Sequence, residues 1–398
     1  MIPSETLRNI FRKQKKLMNE DLGVKRDFYV KPLKKFAYII TGVRRCGKST
    51  LLKQHLEGKE VNYILFEDIN LTSFQAEDFT KLDLIFTQEN QSEIYFFDEV
   101  QNVTGWEIYV RQLLDAGKDV FITGSNATLM SKELGTRLTG RNIKHELFPF
   151  SFREFCSVSN KKPSLAQFEL YVQHGGMPEY VLKRDVRILK NLVDDIIYKD
   201  VIIRRNIREE KIVREIMVFL LSNIAKPLSF TQIARMLGTV SVNTVIDIID
   251  ALEQAYVVFV VHKFDYSLKK QSRNDKKIYV IDTGLANQVS FRTSADVGRF
   301  LENIVFLHLR KHTEDIYYFH KIHECDFVVK EGLKITQAIQ VCYNLNSDNQ
   351  NREFNGLIEV CSAHKLKEGL LLTYKQEDTF TVKGIKIIVK PVWKWLLE

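Results

Sequence analysis

Gly42-Val43-Arg44-Arg45-Cys46-Gly47-Lys48-Ser49, followed by Thr50, is the stretch that decides the fold. It satisfies G-x-x-x-x-G-K-[ST] at every fixed position, the pattern of a loop that wraps phosphate groups. Glycines let successive backbone N–H groups turn inward onto phosphate oxygens. The helix that opens near Lys48 directs its positive end at the same anion. Lys48 supplies a point charge for the β- and γ-phosphates, and Ser49 a hydroxyl ligand for Mg²⁺. The flanks agree with this reading: residues 36–41 form an apolar run rich in strand formers, and residues 48–56 carry a helical pattern. The expected nucleotide-binding set is Gly42, Val43, Arg44, Arg45, Cys46, Gly47, Lys48, Ser49 and Thr50.

Moving outward, Ile94-Tyr95-Phe96-Phe97 reads as a buried strand that delivers Asp98 and Glu99 to its C-terminal end. That end is the ligand edge of a parallel α/β sheet. Asp98 is expected to join Ser49 around Mg²⁺, and Glu99 to polarise the attacking water. Val61–Phe66 and Val120–Thr123 read as further strands, and Trp106–Leu114 as a helix. Strands alternating with helices predict parallel pairing and right-handed crossovers. After the strand at 120–123, Ser125 or Asn126 is placed to bond the γ-phosphate or the water. Arg137 and Arg141 are candidates to stabilise transition-state charge, in cis or from a neighbouring subunit. No guanine-type Asn/Thr-Lys-x-Asp signature is present, which favours ATP.

A chain of 398 residues exceeds one ordinary core, so two or three domains are expected. No apolar run is long enough to span a bilayer, and the N-terminus lacks a cleavable signal; a cytoplasmic location is expected. The five cysteines are scattered without a Cys-x-x-Cys pair, which predicts reduced thiols rather than disulfides or a zinc ribbon. The net charge is +8, and residues 1–36 hold ten basic against four acidic residues. Residues 1–35 therefore read as a basic helical arm, either contacting nucleic acid or presenting a solvated face.

Residues 229–256 read as a helix-turn-helix, with Ser229 and Ser241 as caps and Gly238 as the break. Its second helix carries Asp247, Asp250 and Glu253 and no Lys or Arg. Acids facing phosphates oppose duplex binding, so packing or partner binding is the favoured use. His320, His323 and Cys325 lack a matching second pair of ligands, and His308 and His312 lack the glutamate of H-E-x-x-H. Neither group reads as a metal site.

Gly42–Thr50, Asp98-Glu99-Val100-Gln101 with Trp106, Thr123-Gly124-Ser125-Asn126, Gly140-Arg141 and Pro149–Glu154 together resemble the prokaryotic AAA-superfamily ATPases that carry a C-terminal domain of unknown function. Gly175-Gly176-Met177-Pro178-Glu179 and Ile281-Asp282-Thr283-Gly284-Leu285 fit the same family. The resemblance implies an AAA-type P-loop core over 36–165, a helical connector over 166–210, a winged helix over 211–265 and a restriction-endonuclease-like α/β domain over 276–398. It also suggests ring-type homo-oligomers. In the nuclease-like region Glu302 and Asp326 match the pattern. Gln340 stands where a carboxylate is needed and Cys342 where a lysine is needed, so nuclease chemistry is expected to be lost. The expected function is Mg²⁺-dependent ATP hydrolysis that rearranges the C-terminal domains. Its rivals are a slow nucleotide-dependent switch that binds DNA or a protein, and an ATP-driven nuclease.

Overall fold

A computed structural model describes residues 1–18, 22–130, 137–138, 140–205, 207, 209–238, 240–289 and 297–398. The chain divides into two compact units, Met1–Phe148 with Gln254–Tyr256, and Pro149–Glu253 with Val257–Glu398. Among the described residues no helix is long and apolar enough to cross a membrane.

The first unit is built on five parallel strands: β1 (Ala37–Thr41), β2 (Asn62–Leu65), β3 (Ile94–Asp98), β4 (Asp119–Gly124) and β5 (Asn142–Glu146), in the order β2-β3-β4-β1-β5. β1 is buried along its whole length, as its apolar run requires. Helix α1 (Ser4–Leu17) packs against β2 and the helix Asp78–Glu89, burying Leu7, Ile10 and Phe11. Phe11 meets Phe86 edge to face at 5.1 Å, and full burial of such a side chain contributes roughly 1.5–3 kcal/mol. The opposite face is tied down as well. Arg8 and Arg12 share Glu89 at 3.1 and 2.8 Å, and Lys15 reaches Glu60 at 2.9 Å. Of the basic arm expected over 1–35, residues Ser4–Leu17 are a helix folded into the first unit, because its apolar stripe finds a place there. β5 has no counterpart among the strands read from the sequence.

In the second unit, Leu165–His174, Pro178–Lys183 and Val186–Asp195 are α-helices and Ile196–Ile203 is a π-helix. Next come the helices Glu210–Ser222, Phe230–Leu237 and Val242–Gln254, with the strands β6 (Pro227–Leu228), β7 (Val258–His262) and β8 (Lys276–Val280) in the antiparallel order β6-β8-β7. The predicted boundary at 276 therefore cuts a sheet: β8 pairs with β6 and β7 rather than opening the last domain. The remaining strands are β9 (Ile316–His320), β10 (Glu324–Glu331), β11 (Lys334–Cys342), β12 (Glu368–Thr373), β13 (Asp378–Val382) and β14 (Ile385–Pro391). They form a mixed sheet, β13-β14-β12-β11-β10-β9, whose β11, β12 and β14 run parallel. The helix Gln350–His364 makes the crossover from β11 to β12.

Gly175–Glu179 and Ile281–Leu285 meet in space. The buried Asp282 carboxylate accepts the N–H of Gly176 at 2.6 Å and of Leu285 at 2.8 Å. The approach is so close that a Cβ on Gly284 would lie 2.0 Å from the His174 carbonyl oxygen. Burial pushes the Asp282 carboxyl up to about 6, while the N–H groups of Gly176, Leu285, Gly284 and Met177 pull it down. Asp282→Ala should cost about 1–3 kcal/mol for each orphaned N–H, read from urea denaturation. An unfolded aspartate titrates near 3.9, so between about pH 4 and 6 the folded state binds more protons than the unfolded one. The wild-type advantage over Asp282→Ala should therefore shrink by about 3 kcal/mol as pH rises through that window. A flat difference from pH 4 to 7 would count against this account.

Candidate functional site

The parallel register sets four strand ends side by side. Thr41 lies opposite Gly124, Leu65 opposite Asp98, and Phe97 opposite Ile122. The loop Gly42–Gly47 leaves β1 at this edge and opens helix α2 (Lys48–His55). Gly42 has φ 148°, and a Cβ there would lie 2.2 Å from the carbonyl oxygen of Leu147. Only glycine fits, which explains the fixed first position of the motif.

Lys48 is buried, with Nζ donating to the carbonyls of Gly42 and Val43 at 3.1 Å each and lying 3.7 Å from Glu99. Ser49 Oγ donates to Asp98 Oδ1 at 2.8 Å. Asp98 also accepts from Thr123 and, at 3.1 Å, from Tyr63. Burial pushes the Asp98 carboxyl above its ordinary range, Glu99 adds to this, and Thr123, Ser49 and Tyr63 oppose it. A carboxylate and a hydroxyl side by side at the phosphate loop are the hard oxygen donors Mg²⁺ takes. The residues fit the ion.

Glu99 sits in the left-handed region at φ 55°, ψ 44°. For a non-glycine residue this conformation costs about 1–2 kcal/mol. It turns Glu99 aside from the strand direction, so that its Oε2 accepts from the Ser125 N–H at 3.1 Å, from the Ser125 hydroxyl at 3.0 Å and from Gln101. Burial alone would raise the Glu99 carboxyl, but Lys48, then Gln101, Arg44 and Ser125, bring it below its ordinary value. Two adjacent acids are thereby pushed in opposite directions.

The other expected residues divide. Arg44 pairs with Glu67 at 2.5 Å. Val43 and Cys46 are buried, and burial pushes the Cys46 thiol up. Between the two candidates after β4, Ser125 is the one that touches Glu99; Asn126 Oδ1 instead accepts the Thr128 N–H at 2.7 Å and caps the following turn. Arg141 is not brought to the site. Its carbonyl accepts the Ala37 N–H at the start of β1, and its guanidinium pairs with Asp115 at 2.8 Å. The loop lies past the far end of β1, about 16 Å away at about 3.3 Å per residue. Arg141 cannot serve its own site. Arg137 pairs with Glu107 at 2.6 Å, while the neighbouring Gly135, Thr136 and Thr139 lie outside the described residues.

Two contributors escaped the sequence reading. Gln101 holds Glu99 through its amide nitrogen, and its Oε1 is buried without a hydrogen-bond partner beside Gly124. Arg26, read as part of a charged arm, is buried beneath the loop. It donates to the carbonyls of Cys46 and Phe148 at 2.8 Å each. No motif marks Arg26, because its partners lie 20 and 122 residues away.

A loop and strand end of this kind on a five-stranded parallel sheet define an AAA-type P-loop ATPase core. Residues 34–156 match the family described as AAA domain, and residues 165–296 match a domain of unknown function, DUF8612. The uncharacterized protein MJ1544 of Methanocaldococcus jannaschii is 35% identical, over 94% of this chain and 91% of its own length. An uncharacterized protein of Haemophilus influenzae is 30% identical, over 91% and 94% respectively. The chain belongs to the family of these two relatives, a P-loop ATPase with a C-terminal domain of unknown function. It is also similar to the Walker-type ATPase PABY2304 of Pyrococcus abyssi, at 15% identity and a TM-score of 0.41, over 73% of this chain and 96% of that one.

In the second unit, Asp326 and Gln340 meet, the Asp326 N–H donating to Gln340 Oε1 at 3.1 Å. Gln340 Nε2 donates to Glu353 at 2.7 Å. Cys342, two residues along β11, is buried and its Sγ accepts from Asn349 at 3.5 Å.

Arg26→Ala removes two charge-assisted hydrogen bonds beneath the phosphate loop. A loss of about 1.5–3 kcal/mol per bond is expected in urea denaturation.

Proposed function

We propose that the chain is a Mg²⁺-dependent ATPase whose nucleotide state rearranges the C-terminal part. The observation that carries this is the 2.8 Å contact from Ser49 to Asp98, which joins the phosphate loop to the acidic strand end. In this reading the N–H groups at the start of α2 cradle the phosphates. Lys48 exchanges the carbonyls of Gly42 and Val43 for phosphate oxygens. Ser49 and Asp98 hold Mg²⁺, which supplies charge neutralisation when bound. Glu99, kept ionised and aimed by Ser125 and Gln101, orients the attacking water and takes its proton.

Glu99→Gln should retain ATP binding and lower kcat by 10²-fold or more. Lys48→Ala should lose ATP binding itself, as measured with a fluorescent analogue. Equal turnover in wild type and Glu99→Gln would sink the assignment.

The other reading is a switch whose output is nucleic-acid binding, and one feature favours it. The helices Glu210–Ser222, Phe230–Leu237 and Val242–Gln254, with β6, β7 and β8, follow the order of a winged helix. Its third helix, Val242–Gln254, is acidic, but the β7–β8 connection, residues 263–275, carries Lys263, Lys269, Lys270 and Arg273 against Asp265 and Asp275. The short helix within it, Leu268–Arg273, buries no residue, and Tyr266 beside it is 77% exposed. A cationic wing with an exposed aromatic ring suits a phosphate backbone. In this reading duplex DNA accelerates ATP hydrolysis, and Lys269→Glu with Lys270→Glu removes the acceleration while basal turnover stays. Turnover indifferent to single- and double-stranded DNA points to a protein partner instead.

A further inference from the structure

The carboxylates assigned to a nuclease-like centre already hold a cation. Lys277 on β8 is buried to 1% exposure, and its Nζ lies 2.7 Å from Glu324, 2.9 Å from Asp326 and 3.0 Å from Glu302. The ammonium donates to Glu302 and Asp326 and stands within ion-pair distance of Glu324, so three carboxylates surround one charge. Tyr279, two residues along the same strand, donates to the same Glu302 oxygen at 2.7 Å. The second oxygen of Asp326 accepts the Val341 N–H at 3.0 Å. Gln340 has its oxygen engaged by the Asp326 N–H and its nitrogen by Glu353, whose other oxygen pairs with Arg352.

A catalytic divalent ion needs carboxylate oxygens that converge on a position open to it and to water. Here they converge on an ammonium carried by the chain itself. The adjoining β11 position is an amide with both ends spent, and among the described residues no group of three His, Cys, Asp or Glu is arranged to hold a metal. The donor set does not fit the ion. Burial alone would lower the Lys277 ammonium, but Asp326, Glu302 and Glu324 outweigh it and keep it protonated.

We propose that Lys277 is a tethered cation standing in for the divalent ion, so that this centre is an ion cluster without hydrolytic chemistry. It clamps β8 of the three-stranded sheet to β10 of the six-stranded sheet and to the helix Val297–Arg310 that carries Glu302. The lysine missing from β11 is thus not restored as a catalytic group; it arrives from another sheet and closes the site.

The test is Mn²⁺ binding by electron paramagnetic resonance on the full chain carrying Asp98→Asn, which removes the phosphate-loop cation site. This protein should bind no Mn²⁺ at millimolar concentration. Adding Lys277→Ala should create one site, and adding Asp326→Asn to that protein should abolish it. Lys277→Arg, which keeps the charge, should create none. One equivalent of Mn²⁺ on the Asp98→Asn protein that disappears with Asp326→Asn overturns the proposal, and this arm decides even if Lys277→Ala does not fold. A folded Lys277→Ala protein that gains no site overturns it as well.

Discussion

Everything at the phosphate edge depends on the register of β1, β3 and β4. Side chains alternate along a strand, so a slip of one residue in β3 would turn Asp98 away from Ser49 and carry Glu99 off Ser125. The register is held from within. β1 is buried on both faces between β4 and β5, Phe96 and Phe97 are buried on β3, and Ile122 is buried on β4. Apolar packing on both faces of the sheet penalises a slip on either side. The polar residues of the site are thus positioned by residues that never meet a ligand.

That constraint explains why two neighbouring carboxylates differ. Asp98 ends its strand facing three hydroxyls, which partly compensate burial but bring no positive charge. Glu99 breaks into the left-handed conformation and so leaves the strand's alternation, reaching Lys48, Ser125 and Gln101. Backbone strain of this kind persists where the surroundings over-determine it. Here the two bonds from Ser125 and the one from Gln101 do so. The same left-handed turn separates the carboxylate proposed to hold the cation from the one proposed to work on water.

The residues legible in the sequence are those whose partners lie in the same motif. The glycine pattern, Lys48 and Ser49 are adjacent by definition, and the apolar run before Asp98 announces a buried strand end. Glu99 and Ser125 follow from strands that must end at one edge. Arg141 misled because a Gly-Arg pair near a nucleotide site reads as catalytic; only the pairing of β5 with β1 reveals that it starts its strand at the opposite edge. Arg26 and β8 were misassigned for the same reason. A charged segment gives no sign of burial, and a domain boundary drawn by composition cannot see that Lys276–Val280 completes a sheet begun at Pro227.

Charge counting fails in the same way and is corrected by the same contacts. The +8 of the whole chain invites a nucleic-acid reading, and the surplus in residues 1–36 locates it at the N-terminus. There Arg8, Arg12, Lys15 and Arg26 all hold partners inside the ATPase unit. Lys277 is spent entirely on three carboxylates. A cation whose hydrogen bonds are used within the fold releases no counterions from DNA, however high the isoelectric point. The useful quantity is the charge on segments that bury nothing, and by that measure residues 263–275 carry a stronger electrostatic case than the paired cations of the N-terminal segment.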